Sequence, residues 1–359
     1  MSLMSFLLAP QLTFLSWKQQ KWRSLLHHID EFVVLLLRLF FLASKTGTSL
    51  FRNWIHGATD LDSKLVSLHI IKSGKKAGVR RHSHDADATS HVPGCPSSEL
   101  LLNVRGETQG NKTLSSPGFS FSAAGLLFPY YIGASQCLMQ HGFITETTPL
   151  AGASAGAIVC VAIAAEIPMH VVLKACKLMI QECKEKGTIF KLRDTVRVYL
   201  DRYLPEDAHI KASGRVRVGI TQLFKSPMGL LVEHFSSRGD LINALLASSF
   251  IPGYVAARPF TLFRNSFCVD GGFTNFTPPT SAEKTVGVCA FQVHRFGLHE
   301  IEISPDLNPQ SMVAPSQVLN WAVQPQNDST LDTLFNLGYE NASAWVQKKL
   351  LESNSTRTC

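Results

Sequence analysis

The chain has 359 residues, of which 45% are apolar and 17% charged, enough for one large domain with a sizeable core plus extra segments. Its net charge of +7 is uneven: residues 1–94 hold 12 Lys/Arg against 6 Asp/Glu, which leaves +1 for the remainder. A basic leader of this kind suits an anionic membrane surface or a targeting role, and without zinc-finger spacing or an aromatic-basic RNA signature it argues against nucleic acid.

The eight cysteines form no Cys-x-x-Cys pair, and most lie in apolar runs. They read as buried thiols in a reducing compartment, not as a disulfide framework. Residues 1–29 contain no acid, as in an organellar transit segment, so a chloroplast is one expected destination. Phe32 to Ala43 are apolar except for Arg38. Such a helix is about 18 Å long, short of the roughly 30 Å hydrocarbon core. Extended over residues 32–50 the segment is long enough to span but holds Arg38 and Lys45, so it is expected to dip into a membrane or pack on the domain, with a true span as the alternative, holding the protein on the cytoplasmic side of a membrane or on a lipid droplet. Residues 72–98 have linker composition. Their His82, His84, Asp85, Asp87 and His91 lack the spacing of a metal site, so no metal is expected.

A globular pattern begins at Glu99. A short strand ends at Phe119–Phe121, and Ser122-Ala123-Ala124-Gly125 leads into a helix from Leu126 to about Gln140, closed by Gly142. A strand up to Ala153 precedes a small-residue helix, Ala155 to Ala165. Helices follow over 168–186, which opens at Pro168 and stops at Gly187, and over 190–203. Val216–Ile220 alternates as a strand, and Gly239–Ser248 is helical up to Pro252. Thr261–Arg264 and Phe267–Val269 form a hairpin around Asn265-Ser266. Val286–Ala290 is a further strand, and two helices follow Ser311, the last near Thr330–Leu350. Strands alternating with helices predict an α/β fold with a mainly parallel central sheet covered on both faces.

Two stretches could carry chemistry. Gly152-Ala153-Ser154-Ala155-Gly156 sets a serine on a sharp turn between strand and helix. The flanking glycines Gly152 and Gly156 remove the Cβ atoms that would collide there, and the helix N-terminus behind the turn offers N–H groups to an oxyanion. Downstream, Phe267-Cys268-Val269-Asp270-Gly271-Gly272 ends an apolar strand in an aspartate. Asp270 would lie at the mouth of the sheet, with Gly271 and Gly272 admitting close backbone neighbours. Asp-Gly also forms ordinary turns.

Together these stretches resemble the patatin-like phospholipase family, and most closely its branch of animal and plant triacylglycerol lipases. Ser120 to Gly125 with Tyr130-Tyr131-Ile132-Gly133 is similar to the family's oxyanion strand, loop and helix. Gly152 to Gly156 is similar to its nucleophile elbow, and Val269 to Gly272 to its Asp-Gly-Gly motif. Phe235 to Pro252 resembles the helix and Ile-Pro turn between them, and Leu337 to Ala342 its closing helix. The resemblance implies a three-layer α/β/α fold, with a catalytic domain over 95–300, a basic N-terminal region over 1–94 and a helical extension over 301–359. It implies Ser154 as nucleophile, Asp270 as its base without a histidine, and an oxyanion hole at Ala123, Ala124 and Gly125. It further implies hydrolysis of fatty-acyl esters of phospholipid, galactolipid or triacylglycerol through an acyl-enzyme, with lipid as substrate and no cofactor.

Two departures matter. Alanine stands at two positions of a loop that is normally rich in glycine, and if those positions need positive φ the N–H donors would be misaimed. Phe128 and Pro129 are expected to narrow the acyl entrance. The alternatives are a weak or inactive lipid-binding homologue, or an α/β-hydrolase triad in which His294 or His299 is the base.

Overall fold

The computed structural model describes residues 117–223, 227–256, 258–293, 301–308 and 313–357. The basic leader, the hydrophobic segment at 32–50, the linker and the two candidate histidines, His294 and His299, lie outside the described residues.

Among the described residues one eight-stranded sheet organises the chain. Its strands are β1 (Gly118–Phe121), β2 (Leu150–Ala153), β3 (Val216–Leu223), β4 (Pro227–Val232), β5 (Thr261–Phe263), β6 (Ser266–Asp270), β7 (Thr285–Val288) and β8 (Ile301–Ile303). Hydrogen-bonded neighbours follow the path β5-β6-β3-β2-β1-β7-β8, with β4 also paired to β3. The run β3-β2-β1-β7-β8 is parallel throughout, while β4, β6 and β5 join antiparallel. This is the mostly parallel α/β architecture expected from the alternation of elements.

The register of β3 carries the site. Its Val216 to Gly219 pair with Leu150 to Ala153 of β2, and Ile220 to Gln222 pair with Asp270 to Cys268 of β6. β4 pairs with β3 from Val218 to Leu223. Since β4 overlaps both partners, it occupies the other edge, and β2 and β6 share one edge end to end. The last residues of β2 and β6, Ala153 and Asp270, therefore face consecutive positions of β3, which a strand spaces about 3.3 Å apart.

Eight helices occur among the described residues: α1 (Phe128–Gln140), α2 (Ala155–Ala164), α3 (Met169–Lys186), α4 (Leu192–Tyr203), α5 (Ala208–Ala212), α6 (Arg238–Ser248), α7 (Pro315–Val323) and α8 (Asp328–Arg357). α2 is apolar all round and nearly all buried, as a helix laid across the middle of a sheet must be. α6 begins at Ser237, whose hydroxyl accepts the Asp240 N–H, and Arg264 at the β5–β6 turn grips Asp240 at 2.6 Å. The turn itself is Arg264-Asn265, both at positive φ, one residue earlier than the sequence suggested.

The two faces of the sheet differ. Phe119 and Phe121 of β1 meet Trp345 of α8 and Tyr131 of α1 edge-on. On the opposite face Ser120 donates to the Pro278 carbonyl at 2.5 Å, and a Cβ on Gly118 would overlap Thr280. α1 and α8 cross at glycines: a Cβ on Gly133 would lie 1.9 Å from the Phe335 carbonyl oxygen, and one on Gly338 1.9 Å from that of Tyr130. Residues read from sequence as a C-terminal extension thus pack into the same core, with Leu331, Ala342 and Trp345 buried.

Candidate active site

Ser154 joins β2 to α2 with φ 54° and ψ −125°, a conformation that a residue with a Cβ adopts only under constraint. The constraint comes from both sides. A Cβ on Gly152 would lie 2.3 Å from the backbone of Gly156, and one on Gly156 would lie 2.1 Å from the Phe121 carbonyl oxygen. Both glycines are therefore needed to let α2 close on β1 and β2. A brace absent from the sequence reading completes the turn: the Ser154 N–H donates to the Ser248 hydroxyl at 2.8 Å, and that hydroxyl donates to the Gly219 carbonyl at 2.6 Å. Ser248, at the end of α6, thereby ties the elbow to β3.

Asp270 ends β6 and is 2% exposed. Its N–H donates to the Phe250 carbonyl at 2.8 Å, and its own carbonyl accepts from Thr221 Oγ1 at 2.8 Å. Gly271 must be glycine, because a Cβ there would lie 2.0 Å from the Gly219 oxygen. In the side chain, Oδ1 accepts the Gly272 N–H at 2.8 Å, while Oδ2 is buried without a hydrogen bond. Burial pushes the carboxyl up to about 7, opposed by the Gly272 N–H and then by the Ser154 hydroxyl. The register of β3 sets Asp270 opposite Ile220, one position beyond Gly219, which faces Ala153, the residue before Ser154.

The loop after β1 sorts its residues clearly. The Ala123 N–H donates to the Phe276 carbonyl at 3.1 Å, so of the three residues expected to form the oxyanion hole it is one whose N–H is already engaged. The Ala124 and Gly125 N–H groups have no partner among the described residues. Neither alanine has positive φ, and Ala124 sits at φ −149°. Gly125 alone is left-handed, at φ 57°, and a Cβ on it would lie 2.3 Å from the Ala322 oxygen. Glycine is kept at the one position that demands it, and the alanines cost the loop nothing.

An apolar cavity of about 140 Å³ opens beside Ser154 and Gly125. Its walls come from α2, α3, α4, α6 and α7, with Ile158, Met179, Val196, Leu246, Val255 and Ala322 typical of the lining. Phe128 borders it and Pro129 does not, so of the two residues expected to narrow the entrance only Phe128 is placed to do so. Ser154 lines this cavity and Asp270 does not. Among the described residues no helix is long and apolar enough to cross a membrane.

A protein-family model for patatin-like phospholipases matches residues 119–282, which run from β1 through the Asp-Gly-Gly turn. The chain is 31% identical to human 1-acylglycerol-3-phosphate O-acyltransferase PNPLA3 over 179 residues, 48% of this chain and 37% of that protein. It is 29% identical to rat patatin-like phospholipase domain-containing protein 2, over 64% of this chain and 50% of that protein. It is also 29% identical to human patatin-like phospholipase domain-containing protein 4, over 64% of this chain and 96% of that protein. The chain therefore spans half or less of the first two relatives and nearly all of the third. This match and the sheet that carries it support a patatin-like phospholipase domain over residues 119–282.

Proposed function

We propose that this protein is a lipid acyl hydrolase working through Ser154 and Asp270. The observation that carries the reading is a serine at a strained elbow that lines an apolar cavity, with a buried carboxylate whose second oxygen has no partner at the adjoining strand end. An ester enters with its acyl chain in the cavity. Asp270 Oδ2 takes the Ser154 proton as Oγ attacks the carbonyl carbon, and the carbonyl oxygen becomes an oxyanion. The Gly125 and Ala124 N–H groups and the N-terminus of α2 are the donors available to it. Protonated Asp270 returns the proton to the leaving alcohol, and the acyl-enzyme remains. Water repeats the sequence, with Asp270 as base, and releases the fatty acid. No metal or organic cofactor takes part in this scheme.

The near-absence of polar groups in the cavity supports a hydrocarbon chain as the recognised part, and the relatives named as phospholipase domain-containing proteins support a lipid ester. The same acyl-enzyme can pass its acyl group to an alcohol in place of water, a branch motivated by the relative named as an O-acyltransferase. The test is reaction of the full chain with a fluorophosphonate, the adduct mapped by mass spectrometry, beside hydrolysis of a long-chain ester. We expect the adduct on Ser154, and Ser154→Ala to lose both labelling and hydrolysis while keeping its fold. Near wild-type hydrolysis by Ser154→Ala would remove Ser154 from the chemistry.

A further inference from the structure

The walls of the cavity have an outer side. α3 and α4 turn Cys176, Met179, Ile180, Leu192 and Val196 inward. Leu178 on α3 and Val198 on α4 stand outward, 44% and 47% exposed. Residues 184–193, which connect the two helices, read Lys-Glu-Lys-Gly-Thr-Ile-Phe-Lys-Leu-Arg: four bases and one acid in ten positions. Over residues 95–359 as a whole the net charge is only +1. The acids in and flanking this segment of sequence are Glu185, Glu182, paired to Lys186 at 2.6 Å, and Asp194, beside Arg193 at 3.3 Å. Lys184 and Lys191 form no ion pair among the described residues, and Lys191 Nζ donates to the Lys186 carbonyl at 2.7 Å.

At the centre of these charges stands Phe190, 48% exposed. Its φ is +62°, the left-handed region that a bulky side chain avoids and that Asn or Gly would accept. It is held there by its N–H, which donates to the Tyr254 carbonyl at 2.7 Å. Tyr254 itself lines the cavity, as do Leu192 and Arg193. A large apolar side chain is therefore kept in water, against backbone preference, in a segment that carries three lysines and an arginine and whose Leu192 and Arg193 line the cavity.

We propose that the α3–α4 connection docks this domain on an anionic phospholipid–water interface. Phe190 enters the boundary between headgroups and acyl chains, and Lys184, Lys186 and Lys191 lie on the phosphates. Docked this way, the wall formed by α3 and α4 faces the lipid layer, and an acyl chain crosses from that layer into the cavity without passing through water. The docking does not depend on the chemistry assigned to Ser154, and it is distinct from any binding by the hydrophobic segment at 32–50.

The test uses the full chain with vesicles of phosphatidylcholine, with and without phosphatidylglycerol, and follows hydrogen exchange. We expect the amides of residues 184–193 to gain protection only with the anionic vesicles. Lys184→Gln together with Lys191→Gln should weaken vesicle affinity about fivefold per charge removed, and added salt should mimic the loss. Phe190→Asn should weaken it roughly tenfold while leaving the melting temperature equal or higher, because asparagine tolerates the left-handed conformation. A residue kept only for the fold would show the opposite, a lower melting temperature with unchanged affinity. Vesicle binding without new protection at 184–193, or no binding to anionic vesicles at all, would overturn the proposal.

Discussion

Replacing Asp270 by asparagine should abolish activity and stabilise the protein at the same time. The side chain has one oxygen on the Gly272 N–H and one with no partner, and asparagine keeps the first and the shape of both. What it removes is the basic oxygen, so the rate should fall by roughly the hundredfold to ten-thousandfold of a lost general base. The stability effect follows from burial, which lifts the carboxyl from 3.8 to about 7 in the folded protein. Between those values the folded state keeps a proton that the unfolded chain has released, so stability falls as pH rises through this window. Above it, ionised Asp270 costs the fold on the order of 4 kcal/mol, since each tenfold change in proton affinity is worth about 1.4 kcal/mol. Asp270→Asn escapes that cost. Urea denaturation of both proteins should show the variant more stable at pH 8, with the gap closing towards pH 4. For the wild type, kcat/KM should rise with pH through about 7, where the free enzyme gains its base. A variant with activity within a few-fold of wild type would refute the assignment of the base. A wild-type profile already flat above pH 5 would refute the claim that burial sets the proton affinity of Asp270.

Three more substitutions probe the frame around the proposed dyad. Ser248→Ala leaves the buried Ser154 N–H and Gly219 carbonyl without their bridging hydroxyl, and should cost about 1–3 kcal/mol in denaturation together with a fall in kcat; unchanged stability would remove the brace. Gly125→Ala places a Cβ 2.3 Å from the Ala322 oxygen at positive φ. It should lose at least about 1–2 kcal/mol of stability and roughly a hundredfold in rate, whereas Ala124→Gly should stay within a few-fold of wild-type rate. Equal activities of these two variants would separate the loop from the oxyanion.

Much of the site is legible because its motifs obey local rules. A Gly-x-Ser-x-Gly between an apolar strand and an alanine-rich helix needs only the strain at Ser154 to be read as an elbow. Asp270 before two glycines likewise announces a strand end. What sequence alone does not show is that these two strand ends meet, since that depends on β2 and β6 sharing one edge of β3. β4 escapes notice because Pro227 and Gly229 read as turn residues, although an edge position tolerates both. Ser248 is one of two adjacent serines at a helix end, and nothing local says that its hydroxyl spans to Ser154 and Gly219. The worry over Ala123 and Ala124 shows the same limit. It turns on which residue of the loop is left-handed, and only backbone geometry assigns that to Gly125.

The crossing of α1 and α8 at Gly133 and Gly338 sets an order of assembly. Tyr130 of α1 and Asn341 of α8, joined by a hydrogen bond of 3.1 Å, are 211 positions apart. At roughly 5–20 residues per second of synthesis, α1 waits about 10–40 s before α8 exists. During that time Phe119, Tyr130 and Ile132, all fully buried in the finished fold, lack the helix that covers this side of the sheet. The elbow, β3 and even Asp270 are all made earlier, so the chemistry is spelled out well before the core that holds it can close. A nascent chain of this protein passes through a long interval with an open apolar face.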